Sequence, residues 1–94
     1  MVDLTSTPSV YRKIIQTIHE GWFGGEPFAI HEVRDKSGVS KSSVIRVLKL
    51  LVKIKVVAHR PGGYAGRHYR VTQTWPMTLR DAVEAFEMAK VLKV

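Results

Sequence analysis

The sequence predicts a small α+β fold that is mainly α-helical. Three observations point there: apolar residues recur at helical spacing in three long stretches, glycines and small polar residues punctuate those stretches where helices stop and start, and only residues 56–72 switch to the period of strands. The chain has 94 residues, enough for one core. A globule of that size buries about 60–65% of the surface its unfolded chain exposes, which leaves no room for a large catalytic architecture. Hydrophobic residues make up 45% and charged residues 24%, the balance of a folded domain and not of a disordered segment.

The first helix is expected to start at Thr7-Pro8-Ser9, a capping residue followed by a proline where its missing N–H costs nothing. Tyr11, Ile14, Ile15 and Ile18 then recur at i, i+3, i+4 and i+7 with Val10 alongside, opposite Arg12, Lys13, Gln16 and Glu20, and Gly21 is the expected stop. Trp22 to Gly25 reads as a loop, and Pro27-Phe28-Ala29-Ile30 as a small strand or an extended lead-in. A short helical piece follows from His31 to Ser37, with Ile30 and Val33 as its apolar contacts and Gly38 as its end. Ser40 is the expected N-cap of a helix over 40–53, in which Val44, Leu48, Leu51 and Val52, joined by Ile45, face the core. The other faces keep Lys41, Ser42, Ser43, Arg46, Lys49 and Lys53.

Beyond Ile54 the period changes. Val56 to Arg60 and Arg67 to Thr72 are short runs suited to strands, and the Pro61-Gly62-Gly63-Tyr64-Ala65-Gly66 tip between them makes a hairpin the natural reading. Tyr69 and Val71 alternate with His68, Arg70 and Thr72, so one face is apolar and the other, outward one is basic. Thr78 with Asp81 three positions later is a capping-box-like start for a last helix, lined by Leu79, Ala82, Val83, Phe86 and Ala89. That helix carries a second apolar surface at Ala85, Met88 and Leu92. The expected use is pairing with a second copy of the chain; the alternative is that the helix folds back on the first one in a monomer.

The net charge is +7, from 15 Lys and Arg against 8 Asp and Glu, and its placement is more informative than its size. Residues 36–80 carry Lys36, Lys41, Arg46, Lys49, Lys53, Lys55, Arg60, Arg67, Arg70 and Arg80 and no acid at all, while the remainder is net negative. A single-sign segment repels itself, so it calls for an anionic partner. Other chemistry is excluded on composition. There is no cysteine, which removes disulfides, thiolate zinc sites and cysteine nucleophiles together. His59 and His68 could face each other across the hairpin, but two histidines without a third ligand do not make a metal site. Gly62, Gly63 and Gly66 lack the Lys-Ser/Thr and the helix of a phosphate loop, and His31 beside Glu32 reads as the start of a helix. No enzyme, cofactor, metal or small-molecule effector is expected. No apolar stretch approaches a membrane span and the start is no signal peptide, so the expectation is a cytoplasmic protein, nucleoid-associated in a prokaryote.

Gly38, Val39, Ser40, Ser42, Ser43, Val44, Arg46, Leu48 and Leu51, set in three helices followed by a basic, glycine-tipped hairpin, resemble the winged helix-turn-helix family of DNA-binding proteins over about residues 9–72. One departure is Lys55, where the family usually has a glycine in a left-handed conformation; lysine there costs about 1 kcal/mol relative to glycine. The resemblance implies a lead-in at 1–8, a winged helix-turn-helix domain at 9–74 and a dimerising C-terminal helix at 77–94. It implies a sequence-specific double-stranded DNA-binding protein, a small transcriptional regulator acting as a homodimer, with helix 40–53 in the major groove and the 56–72 wing on the flanking backbone or in the minor groove. The contacts it implies are Lys41, Ser42, Ser43, Arg46 and Lys49 on the helix and Arg60, Arg67, His68 and Arg70 on the wing. Two alternatives stand beside it: a winged-helix module for protein assembly in a replication, recombination or packaging complex, and an RNA-binding winged helix.

Overall fold

The computed structural model describes residues 9–62 and 64–91, without the side chain of Tyr64. The expected cap at Thr7-Pro8, Gly63, the Tyr64 ring and Leu92 lie outside the described residues. The element order is α1 (Ser9–Trp22), α2 (Ile30–Ser37), α3 (Lys41–Lys53), β1 (Val57–His59), a 3-10 turn at Tyr64–Gly66, β2 (Tyr69–Val71) and α4 (Leu79–Val91). The chain is thus mainly helical, with four α-helices and one two-stranded antiparallel hairpin among the described residues.

The helical periodicities become one core. Ile14, Ile15 and Ile18 of α1 meet Val33 of α2, Val44, Leu48 and Leu51 of α3, and Ala82, Val83 and Phe86 of α4, all buried. Val47 joins them, whereas Ile45 and Val52 are only half-buried, because the buried stripe of α3 is centred about 50° around the helix from the expected one, toward Val47. Gly21 does not end α1. The helix runs one residue further so that Trp22 can bury itself, its ring 5.0 Å from Phe28 and under the Lys36 ammonium at 4.7 Å. That burial outweighs the cost of about 1 kcal/mol for glycine inside a helix. Gly38 ends α2 as expected, at φ 72° with its N–H on the Arg34 carbonyl at 2.8 Å.

The exit from α3 places the hairpin. Lys55 adopts φ 66°, the left-handed conformation that a glycine would take without strain. The Lys55 N–H bonds the Val52 carbonyl at 3.0 Å and the Val56 N–H bonds the Leu51 carbonyl at 3.2 Å, the paired bonds of a Schellman motif, with Val56 and Leu51 both buried. The hydroxyls of Thr72 and Thr74 each donate to the Lys55 carbonyl at 2.8 Å. The strands are shorter than the sequence runs, pairing Val57 with Val71, Ala58 with Arg70 and His59 with Tyr69. The lead-in at Phe28 clips to the far side of β2: the Phe28 N–H donates to the Tyr69 carbonyl at 2.7 Å and the Tyr69 N–H to the Phe28 carbonyl at 3.1 Å. After β2, Trp75 is buried and its indole N–H bonds His19 Nδ1 at 2.9 Å, which ties the segment leading to α4 onto α1.

Thr78 caps α4 through its hydroxyl, which accepts the Asp81 N–H at 3.1 Å. Leu79, Ala82, Val83, Phe86 and Ala89 face inward as expected, so α4 folds onto α1 and α3. Met88 and Val91 remain 47% and 68% exposed on its outer side.

Replacing the strained residue gives a direct test of the exit geometry. Lys55→Gly removes the left-handed penalty at the cost of a more flexible unfolded chain, and should raise the unfolding free energy by roughly 0.5–1 kcal/mol, read from the urea midpoint at unchanged slope.

Candidate nucleic-acid interface

The outer face of α3 is polar throughout. At 100° per residue, Ser42, Arg46, Lys49 and Lys53 fall within an arc of about 60° directly opposite Val44, Val47, Leu48 and Leu51, and all four are exposed. Burying the apolar stripe therefore forces this stripe outward. Arg46 is not a free-swinging cation: its Nη1 donates to the Tyr11 hydroxyl at 3.1 Å, and the Tyr11 ring is half-buried, edge-on to Phe86 at 5.5 Å. The Arg46 side chain is thus held toward α1 by the core, with its remaining N–H groups available for an acceptor.

Ser40 occupies the N-cap position of α3, but its side chain makes no cap bond. Its hydroxyl turns instead to those of Ser42 and Ser43, at 3.3 and 3.2 Å. Ser43 is half-buried, so Ser42 is the better placed of the two to reach a partner.

The hairpin brings the second group together. Arg60, Arg67, His68 and Arg70 line one depression of about 310 Å³ beside Pro27 and Pro61. A neighbouring one of about 220 Å³ joins His68 to Lys41 at the start of α3 and to His31 and Arg34 of α2. Lys41 and the hairpin are therefore brought side by side, although more than 20 residues separate them in sequence.

Two expected members behave otherwise. Arg67 is engaged within the molecule: its Nε and Nη2 meet the two carboxylate oxygens of Glu32 at 3.2 and 3.4 Å, a two-pronged pair between hairpin and α2. Arg80, the last cation of the acid-free stretch, sits with Arg12 and Lys13 between α1 and α4, away from the hairpin depressions. The single-sign segment thus does not gather all its charges on one wall. His59 and His68 do neighbour each other, with ring centroids 6.3 Å apart. Among the described residues no three potential metal ligands cluster, and no helix is long and apolar enough to cross a membrane.

Tyr11 and Glu32 escaped the sequence reading, as did the placement of His31 and Arg34. Tyr11 reads as one more member of an apolar stripe, and its hydroxyl role depends on where α3 crosses α1. Glu32 carried a signal, an acid in the first turn of a helix, and its Oε1 indeed accepts the Ala29 N–H at 2.9 Å. Partial burial works to raise the Glu32 pKa, but the hydrogen bonds from Arg67 and from the Ala29 N–H, with the charges of Arg67 and His31, outweigh it and hold the carboxyl below its ordinary value of 4.5.

A depressed carboxyl contributes stability above its unfolded value, and that contribution disappears as the pH falls through the folded one. The unfolding free energy of the wild type should therefore exceed that of Glu32→Gln at neutral pH by under about 1 kcal/mol, since Arg67 is half-exposed. The gap should close below pH 4.5. Parallel urea titrations across that range measure it, and a gap independent of pH would show that the charge of Glu32 contributes nothing.

No protein-family model matches the chain, nor does any curated protein or solved structure, so the reading of this interface rests on the chain's own residues.

Proposed function

We propose that the protein is a sequence-specific double-stranded DNA-binding protein of winged helix-turn-helix type, acting as a transcriptional regulator. In this reading α2 and α3 form the helix-turn-helix around Gly38, α3 enters the major groove, and the hairpin is the wing on the flanking backbone or in the minor groove. The observation that carries it is the Ser42, Arg46, Lys49 and Lys53 stripe, outward on a helix of 13 residues within a segment free of acids. A helix fits the B-form major groove, and serine, lysine and arginine donate to phosphate oxygens and to guanine. Arg60 and Arg70 extend the positive surface onto the hairpin, with Arg67 tied to Glu32 as a brace that sets its position. The outer face of α4, with Met88 and Val91 exposed beside Asp81 and Glu84, supports a second copy as the protein partner. Its acids keep that face off DNA and leave it for pairing, so that two α3 helices meet two half-sites.

Selection from random duplex DNA should return a two-fold sequence with half-sites about 10 bp apart. Binding of that duplex should weaken with salt, log K falling against log salt with a slope near −5 if about six cations neutralise phosphates. Arg46→Ala should cost about 1–3 kcal/mol and relax discrimination at one base position, whereas Lys49→Ala should weaken all duplexes alike and make the slope shallower by about 0.9. Unchanged affinity in both variants would transfer the function to protein assembly. Tighter binding of duplex RNA than of duplex DNA would exclude the major-groove mode, since the A-form groove is too narrow for a helix.

A further inference from the structure

The depression between α2, α3 and the hairpin is more specific than a basic surface. His31 and Arg34 reach it from α2, Lys41 from the first residue of α3 and His68 from the approach to β2, around a floor that includes Ile30 and Tyr69. No acidic residue lines it among the described residues. The acids nearest in sequence are already paired: Glu32 holds Arg67 and the N–H of Ala29, which lines the depression, and Asp35 meets Arg34 Nε at 3.3 Å in an exposed pair that solvent screens. Two helices begin at its rim, α2 at Ile30 and α3 at Lys41, and no side-chain cap covers the α3 start, because the Ser40 hydroxyl is turned to Ser42 and Ser43. The partial positive charge of the α3 start adds to that of the side chains, whereas the α2 start is already met by the Glu32 carboxylate.

We infer that this depression is a seat for a phosphate group, held by Lys41 and Arg34 with the imidazole N–H of His31. Its volume of about 220 Å³ accommodates one tetrahedral oxyanion with water, and its donors come from α2 and α3, whose buried faces share one core. The phosphate belongs either to a nucleic-acid backbone or to a free phosphate monoester. The proposed DNA-binding function bears only on the source of the phosphate; the seat itself stands on the geometry.

The test has two arms, both with the full chain and with the double variant Arg34→Gln, Lys41→Gln, whose residues are exposed and outside the core. In the first, inorganic phosphate is titrated into isotope-labelled protein at constant ionic strength and amide chemical shifts are followed. Saturable shifts are expected at Ile30, His31, Lys41 and Ser42, with an apparent affinity about tenfold weaker in the double variant. In the second, the salt dependence of duplex DNA binding is compared, and the variant slope should be shallower by about 2. Both effects together assign the seat to a nucleic-acid phosphodiester. The phosphate effect with an unchanged DNA slope, or with no DNA binding by the wild type, assigns it to a free phosphate monoester and counts against the DNA reading alone. Absence of saturable shifts at those amides, or shifts that the double variant retains at full affinity, overturns the seat whatever the DNA slope does.

Discussion

Between the last residue of α3 and the first of β1 the chain must reverse direction, and it does so through Lys55 at φ 66°. An L-residue loses about 1 kcal/mol or more in that conformation. Several contacts offset the loss: Val56 buries itself against the end of α3, two helix-end carbonyls are satisfied, and the Thr72 and Thr74 hydroxyls hold the Lys55 carbonyl from the other side of the hairpin. Everything placed beside α3 depends on this reversal. With a different exit, β1 would leave along another direction, β2 would no longer meet Phe28, and His68 would not come next to Lys41.

The electrostatics follow from the same packing. A run of ten cations in sequence is distributed by the fold into distinct places: Lys36 over the Trp22 ring, the outer stripe of α3, Lys55 at its exit, the hairpin depressions, and Arg80 at the start of α4. Self-repulsion is relieved where an acid from outside the run can reach in. Glu32 does so for Arg67, and the same bond braces the hairpin against α2. Arg46 is restrained by a hydroxyl from α1, so the positive face is held partly from beneath by residues that belong to the core. Held side chains lose less freedom on meeting a ligand than loose ones.

Local pattern carried a large part of this structure. The four helices, the glycine stop at Gly38, the Thr78 cap, the hairpin and its outward Arg70 are all properties of spacing and residue type, and α3 faces its polar residues outward because its apolar ones have a helical period. Lys55 also stood out in the sequence, as a residue where glycine was expected. Short-range reasoning misplaced the end of α1, since glycine at position 21 argues for a stop and the burial of Trp22 argues more strongly against one. It also took Ser40 for a working cap, without seeing that two further hydroxyls compete for it.

By itself the sequence determined which segments are helical, which side of each is apolar, and that the middle of the chain is positive. These are properties of neighbours within a few residues of one another. Only tertiary structure decided that Tyr11 meets Arg46, that Glu32 meets Arg67, that His19 receives the Trp75 indole, and that His31, Arg34, Lys41 and His68 surround one hollow. Most of those partners lie more than 25 residues apart, and nothing in a local pattern encodes the angle at which two helices cross or the direction in which a hairpin leaves. That geometry is selected by close packing of the whole core at once.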